Sequence, residues 1–124
     1  LLDEFESCVG VEYFSDLVMH SNTILDKAVP QYIDSNIRSK ISFVCDDFFN
    51  VDFSDANLLV SQLTGLSHDD IQQFTDKCLT LKDGAYVVTT TYALNDESFR
   101  LIKSKLCRFT WGNGTVFIQE KVTV

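Results

Sequence analysis

Apolar and polar positions along this chain switch between two periods, and the switches predict its elements. Ser7-Cys8-Val9-Gly10-Val11-Glu12 reads as a short strand ending on an acid. Leu17, Val18, Ser21, Ile24, Leu25 and Ala28 then recur at i, i+1, i+4, i+7, i+8 and i+11, one stripe of an amphipathic helix. Ser15 is its expected N-cap, and Asp16 suits the positive end of the helix dipole. Pro30 ends the helix, because proline lacks a donor and clashes with the preceding turn. Tyr32, Ile33 and Ile37 follow as a second short helix or a packed connection. Ile41-Ser42-Phe43-Val44-Cys45 is an apolar run of the kind buried on both faces in parallel sheets, and it stops on Asp46-Asp47-Phe48-Phe49.

The second half repeats the alternation. Asn50 to Asp55 is polar enough for a loop anchored by Val51 and Phe53, and Ala56 to Gln62 is another buried-type strand. Ser67 and Asp70 form a capping-box pattern ahead of the apolar stripe Ile71, Phe74, Cys78 and Leu79. Lys82-Asp83-Gly84 closes that helix, and Ala85 to Tyr92 is a strand. Asp96 to Arg100 reads as a short helical turn. Lys103 to Thr110 and Thr115 to Val122 then flank Trp111-Gly112-Asn113-Gly114, where Asn-Gly is a strong hairpin signal. The order βαββαβ followed by a hairpin predicts an α/β fold: a Rossmann-like, mostly parallel sheet flanked by helices, made mixed by a C-terminal antiparallel hairpin.

Composition narrows the class without choosing a function. The 124 residues suit a single domain of ordinary soluble character, with 45% hydrophobic and 23% charged residues. No apolar run reaches membrane-spanning length, so no membrane partner is expected. A net charge of −8 argues against strong direct nucleic-acid binding through a basic face and suits a basic protein partner. Cys8, Cys45, Cys78 and Cys107 are widely spaced without a CxxC, three of them in apolar runs or on an apolar helix face. That pattern suits a reducing, intracellular compartment, nuclear or cytoplasmic, rather than a disulfide framework. His20 and His68 have no partners at metal-ligand spacing, and no metal is assigned.

The candidate chemistry lies where predicted strands end. In parallel sheets, ligands bind beyond the carboxyl ends of strands. Glu12 stands at one such end, and Asp47 and Phe48 at another. A carboxylate followed by an aromatic can accept from a heterocycle's amino group and cover its ring. The same residues also read as a helix cap, a solvated turn and a core aromatic. No Ser/His/Asp or Cys/His arrangement for nucleophilic catalysis occurs at recognisable spacing.

These motifs resemble the C-terminal portion of a class I S-adenosylmethionine-dependent methyltransferase. Val9-Gly10-Val11-Glu12 resembles the family's second strand, whose terminal acid holds the cofactor ribose. Asp47-Phe48 resembles the pair that reads the adenine, and Leu81 to Val88 resembles the entry to the fifth strand, with Ala85 where a second glycine is usual. Within the superfamily the chain looks most like Dot-type (non-SET) histone lysine methyltransferases, through Asp47-Phe48-Phe49, the long helical connection before it, and Phe109-Thr110-Trp111-Gly112 with Thr115 to Ile118. The resemblance implies S-adenosyl-L-methionine as cofactor, bound by Glu12, Asp47 and Phe48. It places Ser61 and Gln62 near the transferring methyl and Trp111 beside the acceptor.

The departures from the family shape a second expectation. Its first strand and glycine-rich turn have no counterpart here, and Leu1 to Phe5, read as the last turn of a helix, looks like a chain entered in mid-domain. The family places that strand between the strands ending at Glu12 and Gln62. The expectation is an N-terminally truncated methyltransferase-like domain, 1–124, with two exposed strand edges able to self-associate and with little activity alone. The alternative is a non-catalytic protein-interaction module on a degenerate methyltransferase fold.

Overall fold

Hydrogen-bond ladders sort the strands into two sheets, one of two strands and one of four. The computed structural model describes residues 4–124, so Leu1 to Asp3 of the expected opening turn lie outside the described residues. The sheets belong to two compact units, Leu1–Val51 and Asp52–Val124, each described by itself.

In the first unit, β1 (Cys8–Glu12) and β2 (Ile41–Cys45) run parallel, Cys8 opposite Ile41 and Glu12 opposite Cys45. Parallel neighbours need a crossover, and α1 (Ser15–Ala28) and α2 (Ser35–Ser39) supply it. Ser15 does not cap α1: the N-cap is Phe14, whose N–H is taken by Glu12 Oε1 at 3.1 Å. The strand's terminal acid reaches forward to the residue that opens the helix, and no side chain caps the first-turn donors of α1. Asp34 caps α2 by accepting from the Ile37 N–H at 2.8 Å. Only part of the α1 stripe is covered. Leu25 is buried, whereas Leu17 and Ile24 are about half exposed. β2 departs from its expected burial on both faces, with Ser42 and Cys45 exposed and the rest half-buried. One strand and one helical layer are its only cover within this unit among the described residues.

In the second unit, β3 (Leu58–Gln62), β4 (Tyr86–Thr90), β5 (Phe99–Phe109) and β6 (Gly112–Lys121) stand in the order β3-β4-β6-β5. β3 and β4 are parallel, connected through α3 (His68–Cys78), and the other pairings are antiparallel. The capping box at Ser67 and Asp70 forms as expected, each side chain accepting from the other's backbone N–H. Phe74 and Cys78 of α3 are buried with Leu63, Leu81 and Val87, so one face of the sheet carries the core. The other face is open. Leu58 and Val60 of β3 are exposed, which corrects its reading as a buried strand.

The C-terminal hairpin also differs from its expected form. Phe99 and Arg100 belong to β5 rather than to a helical turn, because the turn from Asp96 closes early with Phe99 N–H on the Asp96 carbonyl. At the far end the loop is Thr110-Trp111, while Asn113 and Gly114 already pair with Arg108 and Cys107. Gly112 takes the positive φ, +140°. Gly114 is needed for space: a Cβ there would lie 3.0 Å from the Trp111 ring and 3.1 Å from Phe109. The Asn-Gly signal was thus a packing requirement set next to a turn.

Gln119 secures the connection from β4 to β5. Its buried side chain accepts from the Leu94 N–H (2.7 Å) and donates to the Leu94 carbonyl (2.9 Å), satisfying both backbone groups of a buried loop residue. We expect Gln119→Leu to leave both unpaired and to cost about 2–6 kcal/mol in a urea unfolding titration, since each orphaned buried group costs roughly 1–3 kcal/mol.

Two aspartates, Asp83 exposed and Asp96 half-buried, tie loops to this unit. The Asp83 carboxyl is held below its ordinary range first by the Thr123 hydroxyl and then by Lys121, and that of Asp96 by the Ser98 backbone and side chain. A depressed folded pKa contributes stability above the unfolded value, lost as pH falls through the folded one. Stability should therefore decline with acid below the usual carboxylate range. Asp83→Asn should flatten that decline when unfolding midpoints are compared between pH 5 and 2.

Candidate functional site

The first unit brings three of the expected site residues to one place. Because β1 and β2 are parallel and in register, their carboxyl ends coincide, and the Asp46 N–H donates to the Glu12 carbonyl at 3.1 Å. The Cys45 thiol donates to the Tyr13 carbonyl at 3.6 Å, a second link between the same ends. Glu12 and Asp47 therefore stand on neighbouring loops at the strand ends, where parallel sheets bind ligands.

The two acids of Asp46-Asp47 divide the work. Asp46 builds the turn: its Oδ1 accepts from the Asp47 N–H (2.7 Å) and from the Asn50 side chain (3.2 Å). Asp47 Oδ1 accepts from the Phe49 N–H at 3.0 Å, which fixes the carboxylate in a half-buried position, with Oδ2 in no hydrogen bond among the described residues. Glu12 is arranged the same way, one oxygen on the Phe14 N–H and the other available. Each acid thus has a structural role in its own loop, Glu12 at the entry to α1 and Asp47 in the turn after β2. Phe48 and Phe49 follow as a tilted ring pair, centroids 4.1 Å apart, both half-buried.

Beside Glu12 lies an open hollow of about 320 Å³, lined by Gly10, Leu17, His20 and Phe43 among others. Gly10 and Phe43 carried no signal of a role in the sequence, yet they shape this wall. A Cβ on Gly10 would lie 2.6 Å from the Phe43 ring, closer than any real contact, so the ring rests on bare backbone.

The remaining expected residues sit in the second unit. Ser61 and Gln62 end β3 opposite Thr89 and Thr90. Thr89 donates to the Tyr92 carbonyl at 2.6 Å, whereas the Thr90 hydroxyl oxygen is buried with no partner among the described residues. Thr91 has φ +73°, which a β-branched residue adopts only under constraint. Here its N–H donates to the Thr115 carbonyl and its hydroxyl meets that of Thr64 at 2.6 Å. Backbone strain of this kind clusters at functional sites. The threonine run read simply as strand in the sequence and gave no hint of it. Trp111 stacks on Phe109, centroids 5.0 Å apart, and is a hairpin residue first.

No group of three or more His, Cys, Asp or Glu side chains among the described residues is placed to hold a metal. Burial pushes the Cys78 thiol up to about 12, which makes it an inert core residue. No described helix is long and apolar enough to cross a membrane.

The wall beside Glu12 is testable by itself. Gly10→Ala should destabilise the protein by about 1–3 kcal/mol in chemical unfolding, the usual cost of overpacking, and Gly10→Ala with Phe43→Leu should recover most of it.

No family model matches the chain, and no curated protein matches its sequence. Solved structures do match its fold. Magnesium protoporphyrin IX methyltransferase ChlM from Synechocystis PCC 6803, solved with bound SAM, is 5% identical with a TM-score of 0.69, over 93% of this chain and 59% of that one. TrmN from Thermus thermophilus is 15% identical with a TM-score of 0.67, over 94% and 36%. The B. subtilis M1A22 tRNA methyltransferase TrmK is 12% identical with a TM-score of 0.62, over 93% and 50%. The chain thus spans between about a third and three fifths of the length of these proteins. At these identities the likeness concerns the fold: it is mixed α/β, of the class I methyltransferase kind.

Proposed function

We propose that this chain is part of an S-adenosylmethionine-dependent methyltransferase and carries the nucleoside half of the cofactor site. The observation that carries the reading is the pairing of Glu12 and Asp47 at the joined ends of β1 and β2, each with one carboxylate oxygen spent on the backbone and one left over. Two fixed acceptors followed by an aromatic pair suit an adenosine. Glu12 would accept from the ribose hydroxyls, Asp47 from the adenine amino group, and Phe48 would pack on the ring. The solved ChlM structure, of like fold, holds SAM.

The cofactor supplies an electrophilic methyl group on a sulfonium. Transfer of that group depends mainly on orientation, which agrees with the lack of an acid–base constellation. Ser61 and Gln62 are assigned to the methyl-transfer side from the family resemblance, and the unpartnered Thr90 hydroxyl beside Gln62 supports a polar ligand there. A protein lysine acceptor, as in the Dot-type resemblance, draws support from Asp47-Phe48-Phe49 and from the charge of residues 1–51, nine acids against three bases. An intracellular setting, nuclear or cytoplasmic, goes with this reading, and the four free cysteines fit it.

A second reading, a non-catalytic interaction module, draws on a different observation. Among the described residues β1 pairs only with β2, and β3 only with β4, so each keeps one unpaired edge. Exposed Leu58 and Val60 add an apolar surface to the β3 edge, which suits self-association or a protein partner.

Calorimetric titration of S-adenosylhomocysteine into the chain separates the two. Binding that Asp47→Ala and Glu12→Gln each weaken about tenfold or more, with far-UV circular dichroism unchanged, is the expected result. No heat of binding at millimolar ligand would remove the cofactor reading for this chain and leave the interaction module.

A further inference from the structure

The charge of this chain is segregated, and its exception is the C-terminal hairpin. Of ten basic residues, five lie between Phe99 and Lys121, against the single acid Glu120, in a chain of net charge −8. An argument from net charge averages this segment away.

The strand register decides where those bases point. Residues directly opposite in an antiparallel pair share a face. Arg100 faces Glu120, Lys103 faces Ile118 and Lys105 faces Val116, so all three stand on the face of even-numbered β6 residues. Arg100 and Lys103 are three apart and would oppose each other in a regular strand. The bulge between Leu101 and Lys103 brings them to the same side. Arg100 is paired with Glu120. Lys103 and Lys105 are exposed and make no ion pair among the described residues.

The same face ends in an aromatic platform. Phe109 lies opposite Gly112, and its ring stacks on Trp111 with planes 3° apart, over the bare backbone of Gly114. Trp111 is 51% exposed. One face of the indole is held by Phe109, so a second ring can stack on the other without first ordering the side chain.

We propose that this face of the hairpin binds single-stranded nucleic acid. Lys103 and Lys105, about 7 Å apart along the strand, take successive phosphates, and a base stacks on Trp111. The spacing follows the backbone of an extended strand, and nothing on the face reads base edges, so the surface tolerates sequence. Lysines on a sheet edge also guard against strand pairing, a role needing no ligand. The guarding role does not account for a pre-stacked, half-exposed tryptophan on the same face. The proposal stands on the hairpin alone and does not depend on the cofactor reading.

Trp111 is the only tryptophan in the chain, so its fluorescence reports on this surface directly. The experiment titrates a twelve-nucleotide single-stranded RNA, the matching DNA and its duplex into the full chain at low salt. The expected result is quenching by the single strands. Binding should weaken as salt rises, with a log–log slope of about −1.4, or −0.7 for each of two phosphates neutralised. Lys103→Gln with Lys105→Gln should weaken binding at least tenfold and reduce the slope toward zero. Trp111→Leu, followed by anisotropy of a labelled strand, should weaken it by roughly five- to a hundredfold, the usual range for one stacked base. Absence of quenching, or binding unaffected by the lysine pair in a variant of unchanged circular dichroism, overturns the proposal. So does equal or tighter binding of an acidic peptide or of anionic vesicles, which would assign the surface to a protein or a lipid. Aggregation of the lysine variants without change in nucleic-acid affinity would leave only the guarding role and also overturn it.

Discussion

Parallel strand pairing is the constraint on which both units depend. A parallel neighbour cannot be reached by a tight turn, so the chain must leave the sheet, cross its face and return. In the first unit that detour is α1 and α2, and in the second it is α3. The consequence for function is geometric. Both strands of a parallel pair finish on the same side, so residues far apart in sequence, Glu12 and Asp47 or Gln62 and Thr90, end as neighbours. An antiparallel arrangement would have put them at opposite ends.

What each strand end does is then settled by local hydrogen bonding. Glu12 and Asp47 use the same device: one carboxylate oxygen accepts a backbone N–H two residues ahead, and this fixes the other oxygen in direction. A side chain held this way loses little freedom when a ligand arrives, which favours binding. The bond that shapes the loop also orients the carboxylate.

Much of the fold was legible in the sequence, and the failures share a cause. The periods at Leu17–Ala28 and at Ile71–Leu79 and the capping box at Ser67 were local signals and formed where expected, and the hairpin formed with longer strands and a shifted turn. Burial was not local. Ile41–Cys45 and Ala56–Gln62 have the composition of strands covered on both faces, but cover depends on neighbours that a run of residues does not specify. Ser15 lost the capping role because the helix begins one residue earlier, with Phe14 as its N-cap and no side chain on the first-turn donors. Asn113-Gly114 failed as a turn because Gly114 was needed beneath two rings, and the turn moved to Thr110-Trp111. At the candidate site, Glu12 and Asp47 were found from their positions at strand ends. The Gly10–Phe43 contact, the buried Thr90 hydroxyl and the strained Thr91 exist only once the strands pair.

The two edges of the four-stranded sheet differ in their chemistry. β3 presents Leu58 and Val60 to solvent and an edge without a partner among the described residues, with no charge in the strand to discourage pairing. β5, the opposite edge of the same sheet, presents Arg100, Lys103, Lys105 and Arg108 and carries a bulge. Basic side chains and bulges are ways of keeping an edge from recruiting another strand. One edge of this sheet is protected and the other is not. The two edges therefore differ in kind: β3 offers apolar side chains and backbone groups that no described strand pairs, whereas β5 offers charge and a broken register.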